Sequence, residues 1–233
     1  MPIPPQSIRQ ADTERPDLGS EPESTAQAWL HARARLMPDL LSQSPPWVRG
    51  VFDHSWAPMR ALSEQVRLLP PRLWSRLLSW ECGYVAICTS DSHYVPGPAS
   101  IRHQRVANVA FVSVEDLTEG NERPLHVLGH LIDHHLGCAG DVKGPWLSEG
   151  GGVSGRWRQA GQRLPELFAL GYAVDLIAQS SVRDYFAQSL ALFCQDRQRL
   201  NIADPQIYKW FRSTLWDKTL WQYDQDQRKG NEH

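Results

Sequence analysis

Apolar residues recur at helical spacing through the first third of the chain. A stripe that begins after Ser24, a suitable helix N-cap, predicts a first helix. Its members are Ala26, Trp29, Leu30, Met37, Leu40 and Leu41. Pro38 should kink or end this helix, because proline removes an amide hydrogen from the helical ladder. Further helices are predicted over residues 55–69 and from Pro70 onward.

The apolar pattern then changes to that of strands. Residues 83–88 form a short apolar run bounded by polar residues and glycine, which predicts a buried strand. Residues 89–100 are rich in Ser, Pro and Gly and predict a loop, and 106–113 predict a second strand. The rest of the chain predicts helices over 125–136, 164–179 and 182–200, a glycine-dense loop at 150–155, and a last helix after Pro205.

This order of elements favours one fold class. Helices, a few strands and then more helices do not alternate regularly, so we expect an α+β fold, mostly helical with a small mixed sheet. Residues 1–23 and 223–233 are predicted to be flexible tails because they contain few large apolar residues. Residues 24–65 form a predicted helical extension, either a docking domain or helices that complete the core, and 66–222 form the main domain.

Composition excludes several partners. A formal net charge of −2 gives no electrostatic reason to expect nucleic acid or an anionic membrane. The N-terminus carries no apolar stretch of signal-peptide length, and no window approaches the roughly 18 apolar residues that cross a bilayer. We therefore expect a cytoplasmic protein, with export by a route without a signal left open.

Tryptophan and cysteine change this picture little. The ten tryptophans are read as core and interface anchors, with an aromatic binding groove as the alternative. The four cysteines form no C-x-x-C pair, so neither a zinc ribbon nor a thioredoxin-type site is indicated.

The candidate chemistry is concentrated in a cluster of histidines. His126 and His130 are four residues apart, so on a helix both imidazoles project from one face and could bind one zinc ion. In the motif H-E-x-x-H the glutamate is the general base that activates metal-bound water. Here the motif reads H-V-L-G-H, with Val127 at the glutamate position. The alternative is a set of partly exposed histidines that bind no metal.

The residues around this cluster resemble a known family. L-H-V-L-G-H-L-I-D-H-H-L-G (Leu125–Gly137) is similar to the H-E-x-G-H-x-x-D-x-x-x-G helix of the anthrax lethal factor-like zinc metallopeptidases, which have a zincin fold. Upstream, residues 69–88 resemble the helix and strand that open such domains. Downstream, R-D-Y-F-A-Q-S-L-A-L-F (Arg183–Phe193) resembles the family's E-F-F-A-E-A-F helix. The resemblance spans about two-thirds of the chain.

The resemblance implies a zincin-like domain over 66–222 that binds zinc through His126, His130 and Asp184. Gln188 would orient these ligands from outside the metal shell. Asp133 would either do the same or cap a neighbouring segment. Three departures affect the acidic residues of the site. Val127 replaces the general base, Asp184 is one methylene shorter than glutamate, and Gln188 carries no charge. Loss of a general base costs about 10²–10⁴ in rate, so ordinary peptide hydrolysis is not expected.

Two residues are candidates to replace the missing base. His134 lies four residues after His130 on the same helix face and is read as a ligand, a base or a surface histidine. Glu149, beside the glycine-dense loop, could turn toward a cleft or be an ordinary solvated residue.

The family resemblance also suggests where a peptide would bind. The strand before the metal helix commonly forms the sheet edge in that family, so Asn108, Ala110 and Val112 would pair with an extended peptide; the alternative is an ordinary sheet strand.

Two functions follow as hypotheses. The first is a degenerate zincin that binds a peptide or protein, with the metal retained or lost. The second is an active zinc-dependent hydrolase or peptidase that uses a non-standard base. Neither hypothesis predicts an oligomeric state.

Overall fold

The computed structural model describes residues 24–222, so the two predicted flexible tails, 1–23 and 223–233, lie outside the described residues. The helices are α1 (Ser24–Arg33), α2 (Leu40–Gln43), α3 (Pro46–Val51), α4 (Ala57–Val66), α5 (Pro71–Leu78), α6 (Val114–Glu119), α7 (Arg123–Cys138), α8 (Gly155–Ala169), α9 (Val182–Gln195), α10 (Arg197–Ala203) and α11 (Pro205–Ser213). The strands are β1 (Ala34–Leu36), β2 (Tyr84–Cys88), β3 (His93–Ile101) and β4 (Gln104–Ser113). A single 3-10 turn covers Leu147–Glu149.

The strands form a small mixed sheet in the order β1-β2-β4-β3. β1, β2 and β4 run parallel, and β3 is antiparallel to β4. Val85, Ala86 and Ile87 of β2 are fully buried, as expected for an inner strand of a parallel set whose two faces are both covered. The predicted mostly helical chain with a small mixed sheet is confirmed.

Residues 24–65 are part of the same core. Its first helix ends at Arg33, and the predicted continuation is wrong, because residues 34–36 leave the helix and pair with β2. Trp29 is fully buried and packs on Trp74 of α5, with ring centroids 4.6 Å apart. The predicted helical extension therefore also supplies a strand of the sheet.

The predicted loop over residues 89–100 is largely a strand. β3 tolerates Pro96 and Pro98 because it lies at the edge of the sheet, where one side of the strand needs no partner. Its pairing with β4 is irregular between Val95 and Pro98. The local composition predicted a loop, but hydrogen bonding to β4 makes most of these residues a strand.

The predicted peptide-binding edge strand is wrong. β4 pairs with β2 on one side and β3 on the other, so its backbone groups already have partners. Ala110 and Val112 are fully buried, and Asn108 is 1% exposed. The edges of the described sheet are β1, which is three residues long, and the proline-containing β3.

The later helices differ from their predicted bounds. α8 begins at Gly155, capped by the Ser154 side chain, and ends at residue 169. The predicted helix over 182–200 is two helices, because Asp196 ends α9 and caps α10 by accepting a hydrogen bond from the Arg199 amide, 2.9 Å away. α6 was not predicted.

Most of the tryptophans are core residues, as predicted. The buried ones are Trp29, Trp74, Trp146, Trp157, Trp210 and Trp221. Trp47 and Trp56 are exposed. Within residues 24–222, no helix combines the length and the apolar character that a membrane span requires.

Candidate metal centre

The histidine helix, α7, packs its apolar face into the core and crosses α9 closely at Gly129. A Cβ on Gly129 would lie 2.8 Å from the Cα of Ala187 in α9. The absence of a side chain at residue 129 therefore lets the two helices approach each other. The crossing lies one residue before His130 and three residues after Asp184, so it brings the predicted ligands together.

The three predicted metal ligands converge. The Nε2 atoms of His126 and His130 are 3.1 Å apart. The Oδ1 atom of Asp184 lies 3.3 Å from His130 Nε2 and 3.8 Å from His126 Nε2. The side chains are 14–28% exposed, so solvent or a ligand can reach them. Together, these three residues could hold a metal ion.

Asp184 is oriented by the cap of its own helix. Ser181, the N-cap of α9, accepts a hydrogen bond from the Asp184 amide at 3.0 Å, and its hydroxyl donates to Asp184 Oδ2. Ser180 donates to the same oxygen at 2.8 Å. These bonds leave Oδ1 directed at the histidines. The hydrogen bond from His130, followed by those from the two serines, holds the pKa of Asp184 well below its usual range.

Gln188 orients the imidazole of His126. Its amide nitrogen donates to Glu122 at 2.7 Å and to Asp175 at 2.9 Å. Because both acceptors are carboxylates, the amide oxygen faces His126 and accepts from its Nδ1 at 2.9 Å. His126 therefore carries its proton on Nδ1, and its Nε2 lone pair faces Asp184 and His130.

The protonation state of His126 suits metal binding. Burial, together with the neighbouring His130, lowers the pKa of His126 to about 4. The imidazole is thus neutral near pH 7, which is the form that coordinates metal. His130 lacks a comparable outer partner, because its buried Nδ1 has no hydrogen bond.

Sequence reasoning missed Glu122 and Asp175, the two carboxylates that bind Gln188. Glu122 lies four residues before His126, so the helical spacing that joined the histidines would also have found it. Asp175 lies in the loop between α8 and α9, and no local pattern indicates that it approaches α9.

Asp133 does not orient a metal ligand, and that prediction is wrong. Its carboxylate accepts from the backbone amide of Ser148 at 2.7 Å and from the Ser148 hydroxyl at 2.6 Å, so it holds the 3-10 turn against α7. This agrees with the alternative reading of Asp133 as a cap for a neighbouring segment. Asp133 is fully buried, and burial raises its pKa to about 7.

His134 is neither a surface residue nor a free base. It is fully buried, and its ring stacks on Trp146 with centroids 4.8 Å apart. Its Nε2 lies 3.0 Å from the carbonyl oxygen of Asp141, to which it donates. Its Nδ1 accepts from the Tyr94 hydroxyl at 2.7 Å. Both ring nitrogens are therefore occupied by protein partners.

Glu149, the other candidate base, is held by Arg183. Its Oε1 lies 2.8 Å from Arg183 Nε and 2.7 Å from another guanidinium nitrogen. Its Oε2 accepts from the Trp146 amide at 3.0 Å. The guanidinium also stacks over the Trp146 ring at 4.0 Å. Glu149 therefore pairs with Arg183, the residue before Asp184. It is not part of the triad formed by His126, His130 and Asp184.

Val127 lies on the core side of α7. Its side chain is 2% exposed and belongs to the main hydrophobic cluster. Val127 therefore contributes to packing and offers no group for proton transfer.

Comparisons of the chain with protein-family models, with curated proteins and with solved structures gave no match. The geometry of the site is therefore the basis for a functional assignment.

Proposed function

We propose that this chain is a degenerate zincin that binds zinc through His126, His130 and Asp184 and uses the ion to bind a peptide or protein ligand. The observation that carries the proposal is the convergence of the two Nε2 atoms and Oδ1, all within 4.8 Å of one another. Two imidazoles and one carboxylate are the donor set of zinc sites that keep a fourth position open.

The donor separations support a tetrahedral ion. Two ligands that each lie about 2.0–2.1 Å from a tetrahedral zinc are about 3.3 Å apart. The observed separations in the triad are 3.1, 3.3 and 3.8 Å. The fixed Nδ1 proton of His126 leaves its Nε2 lone pair free for the ion. Binding would require His130 to give up the Nε2 proton that it donates to Asp184. The residues present thus fit the ion.

Binding is favoured over hydrolysis because Val127, at the position where the zincin motif has its glutamate, and the two residues considered as replacements for that base are all engaged elsewhere. Val127 is packed in the core, His134 has both nitrogens occupied, and Glu149 is paired with Arg183. Zinc, when bound, polarises an oxygen ligand in its open position. The chain would hold that ligand without transferring a proton from it.

A peptide ligand would depend on the metal centre more than on the sheet. β4 has no free edge, β1 is short, and the prolines of β3 remove amide donors. A carboxylate or carbonyl oxygen of the ligand would take the open zinc position. The lining of the site would supply the remaining contacts.

Metal analysis tests the proposal directly. Protein purified without a metal-affinity tag and dialysed after zinc loading should hold about one zinc per chain by elemental analysis. His126→Ala and His130→Ala should lose it. His103→Ala is the matched control, because His103 is exposed and outside the triad.

Two results would contradict the proposal. The first is a zinc-replete wild-type chain without stoichiometric zinc, or zinc that survives His126→Ala. The second is cleavage of an unfolded protein substrate by the zinc-loaded chain, abolished in His130→Ala, which would favour the hydrolase hypothesis.

A further inference from the structure

A pair of side chains outside the metal centre, Cys82 and His135, joins a nucleophile to a base. The Sγ atom of Cys82 lies 3.4 Å from Nε2 of His135, within hydrogen-bonding distance for a thiol. Cys82 is partly exposed in the loop between α5 and β2, whereas His135 on α7 is fully buried. Among residues 24–222 the group that could hold a metal ion is the triad, and two side chains do not complete such a site. The chemistry open to this pair is therefore that of a thiol beside a base.

The hydrogen bonds of His135 fix its tautomer. Its Nδ1 lies 2.8 Å from the carbonyl oxygen of Leu131, which can only accept a hydrogen bond, so Nδ1 carries the proton. The Nε2 lone pair therefore faces Cys82 and accepts from its thiol. Burial lowers the pKa of His135 to about 4, so the imidazole is neutral near pH 7 and its lone pair can take up a proton.

Backbone hydrogen bonds on both sides of Cys82 fix the position of its loop. Arg33 donates to the carbonyl oxygens of residues 80 and 81, at 2.6 and 2.9 Å. The Gly83 amide donates to the Ala107 carbonyl of β4 at 3.1 Å. The thiol is therefore held against Nε2 of His135 by the surrounding chain.

Gly140 leaves one side of the pair without a covering side chain. A Cβ on this residue would lie 3.0 Å from Cys82 Sγ and 3.0 Å from His135 Nε2. Because glycine has no Cβ, these two atoms are not covered from that direction. Gly140 and Cys82 are both partly exposed, so a small reagent can approach the sulfur there.

The other three cysteines have no such base among the described residues. The thiols of Cys88 and Cys138 donate to backbone carbonyls. Burial raises the pKa of Cys88, raises that of Cys138 to about 11 and raises that of Cys194 to about 12. A thiol that is neither ionised nor next to an imidazole is a poor nucleophile near pH 7. Cys82 is therefore the cysteine that the fold equips to react.

We propose that Cys82 is a modification site that forms a mixed disulfide with a low-molecular-weight disulfide, with His135 as its general base. Sγ attacks one sulfur of the reagent, the Cys82 S–H bond breaks, and the proton passes to Nε2. A new sulfur–sulfur bond forms while the disulfide bond of the reagent breaks, and the departing thiolate takes up the proton. Cys82 is oxidised and the reagent is reduced, so the exchange needs no other oxidant. The site does not depend on the proposed zinc centre.

Dithiodipyridine, a small uncharged disulfide that releases a coloured thione, tests the proposal on the folded full chain at pH 7. About one thiol per chain should react in a fast phase, at least about tenfold faster than N-acetylcysteine. Cys82→Ser should abolish this phase. Cys138→Ser is the matched control and should keep it, because Cys138 is also partly exposed. His135→Phe keeps an aromatic ring but removes Nε2, so it should slow the fast phase by about tenfold or more.

The direction of the His135→Phe effect separates a base from a packing residue. Loss of packing alone would loosen the loop and speed the reaction, whereas loss of the base slows it. Circular dichroism checks the fold, and an unfolded variant would react at all four cysteines. A fast phase that survives Cys82→Ser, or that keeps its rate in folded His135→Phe, would overturn the proposal. So would a wild-type chain that reacts no faster than N-acetylcysteine, a result that depends on no variant.

Discussion

At the scale of single residues, Gln188 shows how its surroundings require an uncharged amide. Its amide donates to two carboxylates, those of Glu122 and Asp175, while its oxygen holds His126. A glutamate at the same position would lose both donor bonds and meet two like charges. The environment supplied by the rest of the chain thus requires an amide.

We expect Gln188→Glu to destabilise the chain by about 2–4 kcal/mol at pH 7, because a buried third carboxylate would lie beside two others. The loss should shrink at pH 5, where the introduced carboxyl group can take up a proton more readily. Urea unfolding at both pH values measures it. Gln198→Glu, at an exposed residue of α10, is the control and should change stability by less than about 0.5 kcal/mol. Equal stability of the two variants would contradict the role given to Gln188.

A second prediction at this scale concerns Asp133 and the pH dependence of the free energy of unfolding. Burial raises its pKa to about 7, above its unfolded value of 3.8, so the folded chain binds the proton more tightly than the unfolded chain. Its contribution to stability is therefore complete below pH 3.8 and is lost as the pH rises through about 7. Asp133→Asn keeps the bonds to Ser148 and cannot ionise.

The free energy of unfolding of Asp133→Asn, relative to wild type, should increase between pH 4 and pH 8 by up to about 4 kcal/mol. Denaturant unfolding across this range measures the difference, and groups common to both proteins, such as His126, cancel. A pH-independent difference would show that Asp133 titrates normally.

At the scale of secondary structure elements, the crossing of α7 and α9 brings His126, His130 and Asp184 together. Gly129 approaches the Ala187 backbone, and a Cβ there would lie 2.8 Å from the Ala187 Cα and 3.2 Å from its carbonyl oxygen. Backbone atoms cannot rotate away, so any side chain at residue 129 must push the helices apart. The ligands on the two helices would separate with them.

Gly129→Ala should therefore weaken zinc binding by about tenfold or more and cost about 1–3 kcal/mol in stability through overpacking. Competition with a zinc chelator and urea unfolding measure the two effects. Gly50→Ala in α3 is the matched control, because no atom lies within 4 Å of its Cβ. It should stabilise the chain by up to about 1 kcal/mol and leave zinc affinity unchanged. An unaltered zinc affinity in Gly129→Ala would show that the crossing does not set the ligand geometry.

At the scale of the whole molecule, residues 24–65 complete the domain. β1 extends the sheet, and Arg33 binds the backbone carbonyls of Trp80 and Glu81 at 2.6 and 2.9 Å. Trp29 lies in the same hydrophobic cluster as Val127 and Leu128 of the metal helix. The segment and the metal centre should therefore unfold together.

Trp29→Ala should cost about 3–5 kcal/mol, because it opens a cavity at a fully buried site. Far-ultraviolet circular dichroism in urea should show a single transition at lower denaturant concentration. Trp56→Ala, at a residue 65% exposed, should shift the midpoint little. Two separate transitions in the wild-type chain would instead identify residues 24–65 as an independent unit.

The sequence by itself determined the features that depend on neighbours along the chain. The i, i+4 spacing of His126 and His130 placed both imidazoles on one helix face, and the strands near residues 84 and 109 followed from short apolar runs. The choice of Asp184 as the third ligand came from resemblance, and the structure brings that residue to the histidines.

Only the tertiary structure decided the features that depend on distant partners. Whether β4 is an edge depends on β3, a strand whose prolines and glycine read locally as a loop. Whether His134 is a base depends on Tyr94 and Asp141, which occupy its two nitrogens. Spacing along a helix fixes the direction in which its side chains project. Their burial and their hydrogen-bond partners come from segments far away in the chain. For that reason the sequence placed His126 and His130 on one helix face, and the fold decided which other polar residues are free to act with them.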